Sequence, residues 1–172
     1  MKIRLPSPAL ALLLASVLLG ACSPKYNWRD YASPDAPYRV MFPAKPATFT
    51  RTIDLDGMQV SMTMTAAEVD GATFAVGSAE APDEARAQAA LEAMQLGLVH
   101  NIGATVTRQA AAAAPGRASR DIEATGNSKG TPVRLVGHFE ARGKRIYQVI
   151  VLGKPDAVPP EQVEQFLTSF KP

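Results

Sequence analysis

Arg145-Ile-Tyr-Gln-Val-Ile-Val-Leu152 is the stretch that decides the fold, because its apolar residues fall on both of its alternating faces. A run this short and this rich in Val and Ile reads as a strand covered on both sides. A sheet with such a strand at its centre needs a layer above and a layer below. Immediately upstream, Gly143 marks a turn. Before it, Val133, Leu135, Phe139 and Ala141 lie on one side of a strand broken at Gly137, with Arg134, His138, Glu140 and Arg142 largely on the other. Downstream, Pro159-Pro160 start a helix whose Val163, Phe166, Leu167 and Phe170 recur at i, i+3, i+4 and i+7, one apolar stripe.

The first half of the chain has the same grammar. Tyr38-Arg-Val-Met-Phe42 reads as a strand stopped at Pro43 and Pro46, and Thr48 to Leu55 as a second. Asp56-Gly57 is a hairpin signal. Met58-Gln-Val-Ser-Met-Thr-Met-Thr65 then alternates strictly, placing Met58, Val60, Met62 and Met64 on one face. Asp70-Gly71 turns again into a strand from Ala72 to Ala79. Pro82 opens a long helix with Asp83 and Glu84 in its first turn, where the helix dipole favours negative charge. Ala87, Leu91, Met94 and Leu98 form its apolar stripe, and Asn101 and Gly103 are its stop residues. Weaker strand signals follow over Ala104–Ala111 and Arg117–Thr125, joined by a Pro115-Gly116 turn, and then a loop from Gly126 to Gly130. The expected class is α+β, a mainly antiparallel sheet flanked by two helices, with a single domain over residues 38–172.

The aromatic–Val–x–Phe-Pro opening at Tyr38–Pro43, the hairpins and helix after it, and the close from Arg145-Ile-Tyr-Gln through Phe166-Leu-Thr-Ser-Phe170 resemble PsbP-like domains. The resemblance implies an α/β sandwich used as a binding or assembly module. It transfers no functional residue.

Lys2 and Arg4 precede an apolar run, Ala9 to Leu19, that is too short to span a bilayer and has the anatomy of a secretory signal. Leu19-Gly20-Ala21-Cys22 resembles the lipobox of bacterial lipoproteins. In that family the cysteine is lipidated and becomes the first residue after cleavage. Residues 1–21 are therefore expected to be a lipoprotein signal peptide and Cys22 the lipidation site, with membrane attachment through its lipid. Cys22 is also the single cysteine, so it has no disulfide partner. One acyl chain anchors marginally, and two or three anchor durably. Ser23 stands where the inner-membrane retention signal would have Asp, which by resemblance favours the outer membrane, its periplasmic leaflet ahead of its surface. Residues 22–37 read as a tether, because Pro24, Pro34 and Pro37 oppose regular structure. Trp28 has two readings: resting at the lipid headgroups, or pinning the tether to the domain together with Tyr31.

Without Lys2 and Arg4, sixteen basic residues face sixteen acidic ones, which gives no reason to expect a nucleic-acid partner. Cys22–Val99 carries six basic and ten acidic residues, and His100–Pro172 ten and six. Strands from the two halves are expected to interleave in one sheet, cancelling this asymmetry in space. The alternative is a polar binding face.

No catalytic set is assembled in the sequence. His100 falls at a helix end and His138 on the polar side of its strand. Asp54 with Asp56, and Asp121 with Glu123, share strand faces as any acidic pair at spacing two does. There is no Gly-x-Ser-x-Gly elbow, no His-Glu-x-x-His and no phosphate-binding glycine loop. The expectation is a protein that is not an enzyme and holds no cofactor. Two functional classes stay open: a non-catalytic module of the cell envelope that contacts another envelope protein, and a small-ligand carrier for lipid or Cu(I). Met58, Met62 and Met64, with Met41 and Met94 nearby, are the Cu(I) candidates, since soft thioethers select that ion. Methionine is equally a core filler. Arg142-Gly-Lys-Arg145 reads either as a phosphate or headgroup contact or as a solvated turn.

Overall fold

The computed structural model describes residues 25–172. The signal segment 1–21 and the lipidation residue Cys22 lie outside the described residues. Nine strands and two helices follow in the order β1 (Arg29–Ala32), β2 (Arg39–Phe42), β3 (Ala47–Leu55), β4 (Met58–Val69), β5 (Ala72–Glu80), α1 (Glu84–Asn101), β6 (Ala104–Ala114), β7 (Arg117–Ser128), β8 (Thr131–Arg142), β9 (Arg145–Gly153) and α2 (Pro160–Ser169). Seven strands form one antiparallel sheet in the order β3-β4-β5-β9-β8-β7-β6, and β1 pairs with β2 in a separate hairpin. No described helix is long and apolar enough to cross a membrane.

The sheet is covered on both faces, as β9 requires. On one face α1 buries Ala87, Ala90, Leu91 and Met94 against Leu135, Phe139, Ile146 and Ile150. On the other, α2 and the β1–β2 hairpin bury Val163, Phe166, Phe170, Val40 and Phe42 against Phe74, Val76, Val149 and Val151. Hairpin turns behave as their residues dictate. Asp56-Gly57, Asp70-Gly71 and Lys129-Gly130 all adopt positive φ at both positions, the primed-turn geometry that matches strand twist. α1 begins two residues later than Pro82, because Asp83 is its N-cap and accepts from the Arg86 N–H at 2.8 Å.

Three expectations are corrected. Arg29–Ala32, inside the stretch read as irregular tether, pairs antiparallel with β2. Its anchors are aromatic: Trp28 sits edge-on to Phe74 and Tyr31 edge-on to Phe42, so the pinning role for both residues is the one observed. Gly126–Ser128 belong to β7, leaving only Lys129-Gly130 as the turn. Finally, the two halves of the chain do not interleave. β3-β4-β5 and β9-β8-β7-β6 are contiguous blocks that meet at the β5–β9 seam, so the charge asymmetry stays separated in space.

Two tyrosines close the α2 side. Tyr38 donates to Thr65 Oγ1 and Tyr147 to the Pro37 carbonyl, and burial raises both phenols above their ordinary value near 10. A raised folded pKa stabilises below the unfolded value and is lost as pH climbs through the folded one. Stability should therefore fall above about pH 10, and the Tyr38→Phe, Tyr147→Phe double variant should flatten that alkaline slope in urea titrations.

Candidate functional site

The strand register lines up residues across the face that α1 covers. Phe49 opposes Met64, Arg51 opposes Met62, Ile53 opposes Val60, and Leu55 opposes Met58. Met64 in turn opposes Gly77, which opposes Gln148. α1 lies over this surface but does not fill it beside β3, because the turn facing that edge presents Ala93 and Gly97. A groove of about 340 Å³ remains, bounded by Phe49, Met62, Met64, Met94, Gly97 and Leu98.

Gly77 makes the floor. A Cβ built there would lie 2.6 Å from Met64 Sδ and 3.2 Å from Met62 Sδ, so both thioethers occupy the space a side chain would take. Met62 is buried and Met64 half-buried. At the lip, Phe49 is 53% exposed, and Arg51 forms no ion pair among the described residues. Gly97 faces open space: a Cβ there meets nothing within 4 Å. A glycine inside a helix costs roughly 0.5–1 kcal/mol relative to alanine. The groove thus keeps its width at a cost in helix stability.

Of the methionines singled out in the sequence, the structure brings Met62 and Met64 together and places Met94 on the facing helix. Met58 packs in the same core outside the groove, and Met41 belongs to β2, in the opposite layer, because the hairpin leaves the main sheet. Flexible thioethers lining a groove suit an apolar ligand of variable shape.

On the opposite face, β7 and β8 carry a charged network that sequence reading missed. Glu140 is 1% exposed, and its carboxylate accepts from Arg117 Nε at 3.0 Å and Arg142 Nε at 3.2 Å. His138 lies between two carboxylates, Nε2 at 3.2 Å from Glu140 and Nδ1 at 2.7 Å from Asp121. Glu123 pairs with Arg108 and Arg134. Asp121 and Glu123 share a face but have different partners, His138 for Asp121 and Arg108 with Arg134 for Glu123. Asp54 is likewise occupied, accepting from the Gly57 N–H and Gln59 Nε2 at the hairpin. His100 is an exposed residue in the last turn of α1. Both ring nitrogens of His138 face carboxylates, Asp121 across the strand pair on β7 and Glu140 on its own strand. Among the described residues no group of three or more His, Cys, Asp or Glu side chains is placed to hold a metal ion. Alternation already put His138 and Glu140 on one face. Their partners on β7 became visible only with the register.

No family model matches the chain, and no curated protein does. Among solved structures it is similar to PA94 of Pseudomonas aeruginosa, a protein of unknown function. The two share 14% sequence identity over 79% of this chain and 89% of that one, at a TM-score of 0.42. A likeness at this level carries no argument about activity.

Proposed function

We propose that this chain is a periplasm-facing lipoprotein, anchored by lipid on Cys22 in the outer membrane, whose domain is a non-catalytic binding or assembly module. The observation that carries the binding role is the open, methionine-lined groove between α1 and β3–β4, with Phe49 at its lip. The PsbP-like sandwich read from the sequence is compatible with a sheet covered on both faces. The second reading, a small-ligand carrier, uses the same groove: the paired sulfurs of Met62 and Met64 suit Cu(I), and its apolar lining, interrupted by Arg51, Asp54, Asn101 and Gln148, suits an acyl chain with a polar end.

Two arms test the proposal. In cells fed a labelled fatty acid, the wild-type chain should take up label and Cys22→Ala should not. A photo-crosslinking residue at position 49 should then yield a discrete protein adduct that disappears in Gly97→Gln, a variant that narrows the groove without removing a helix former. Adducts to lipid alone, or stoichiometric Cu(I) uptake abolished by Met62→Leu and Met64→Leu, would replace the binding module with the carrier.

A further inference from the structure

Lys25, the first described residue, is already tied down. Its ammonium pairs with the Asp70 carboxylate in the β4–β5 turn. The Tyr26 ring stacks on Trp28 at 6.3 Å, and both stand edge-on to Phe74 near the start of β5. The Asn27 N–H donates to the Pro43 carbonyl at 2.8 Å, and β1 follows. From Tyr26 onward the chain is packed on the domain, with Lys25 tethered to it by the ion pair.

Only Ser23 and Pro24 separate Lys25 from Cys22. Three Cα–Cα steps span at most about 11 Å. With its acyl chains in the bilayer, Cys22 stays at the interface, so the Asp70-Gly71 turn is confined to the same short distance from the lipid.

We infer that the domain stands end-on on its membrane, with the end of the sheet carrying Asp70-Gly71, Lys129-Gly130 and Lys154 facing the lipid headgroups. This inference rests on the reading of Cys22 as lipidated. The topology supplies the rest. Ala72 pairs with Gly153, Gly153 also with Arg134, and Asn127 with Pro132, so those three features share one end of an antiparallel sheet. The Asp56-Gly57, Pro115-Gly116 and Gly143-Lys144 turns lie at the other end. Strands of nine to twelve residues put that end roughly 30–40 Å further out.

The chemistry of the near end fits headgroups and not insertion. Lys129 and Lys154 are exposed there, beside the Lys25–Asp70 pair and the exposed Asp156, while the exposed large apolar side chains, Phe49 and Leu96, lie on β3 and α1. Lysines at an anionic surface add about 1 kcal/mol each. The short leash fixes which end they present.

The test uses the full lipidated chain in phosphatidylcholine–phosphatidylglycerol vesicles that contain a nitroxide-headgroup lipid. With Cys22 acylated, an introduced cysteine is the only free thiol, so Lys129→Cys, Lys154→Cys, Arg117→Cys and Lys144→Cys can each take a fluorophore. Labels at 129 and 154 should be quenched at least about twofold more than labels at 117 and 144, given the separation of the two ends. Inserting about fifteen Gly/Ser residues after Pro24, a leash with a root-mean-square span near 20 Å, should erase the difference. Equal quenching at all four positions, stronger quenching at 117 and 144, or a difference that survives the insertion would each overturn the inference. The anchor is read separately: a chain that fails to float with vesicles and carries no acyl mass on Cys22 refutes lipidation and the orientation together. A chain that floats with the reversed pattern refutes the orientation alone.

Discussion

Phe166→Ala should lower unfolding free energy by about 3–5 kcal/mol, as expected for a large aromatic removed from a packed core. Phe166 is fully buried in α2, with its ring 5.5 Å from Phe42 and 5.4 Å, edge-on, from Phe74. It therefore joins three pieces at once: the helix, the β1–β2 hairpin and the central sheet. At this chain length a loss of that size lowers the melting midpoint by roughly 10 °C. Trp28 is the single tryptophan and packs on the same Phe74, so its emission reports the layer directly. The variant should show red-shifted emission at lower urea. A loss below about 1 kcal/mol would mean that α2 is dispensable to this core.

Gly126→Ala should cost about 3 kcal/mol, the upper part of the range for overpacking. A Cβ at Gly126 would fall deep inside the van der Waals contact of the Gly103 carbonyl oxygen and Ala104 Cα. Gly103 is constrained in return, with φ at +61° and its own Cβ position 2.9 Å from the Asn127 carbonyl. The end of α1 and the end of β7 are thus pressed backbone to backbone. Neither can yield without disturbing the helix exit or the β6–β7 pairing. Gly143→Ala is the contrasting control: unlike Gly126 it has positive φ, with open space around it, so it isolates backbone strain and its cost should stay near 1 kcal/mol. A loss at Gly126 no larger than that at Gly143 would show that the close approach is relieved at little cost.

Period-driven elements were legible in the sequence. The β4 alternation, the α1 and α2 stripes and the two-sided β9 each reflect a local repeat that burial enforces. β1 was hidden because the prolines around it dominate local propensity, while the force that orders it comes from Trp28 and Tyr31 docking on residues distant in sequence. The seam between β5 and β9 left no local trace either, which is why the halves were expected to interleave. At the groove, the shared face of Met58, Met62 and Met64 could be read from spacing. That Gly77 lets two sulfurs converge, and that Gly97 leaves a groove beside them, depends on register and helix placement. The Asp121–His138–Glu140 chain was unreadable for the same reason, since β7 and β8 had no assigned register.

The β5–β9 seam also sets an order of assembly. β3-β4-β5 and β6 through β9 are each joined by short hairpins, whose contacts are local and form fast. Within the seven-stranded sheet only the seam pairs strands far apart along the chain, and Phe74, Val76, Val149 and Val151 line it. If the chain is exported from its N-terminus, as proposed above, β5 emerges with one edge unpaired and waits for nearly all the remaining chain. During that interval its apolar edge is open to mispairing with another copy. On that reading, mutations that slow β9 docking should appear first as lost yield, before any change in the stability of molecules that have already folded.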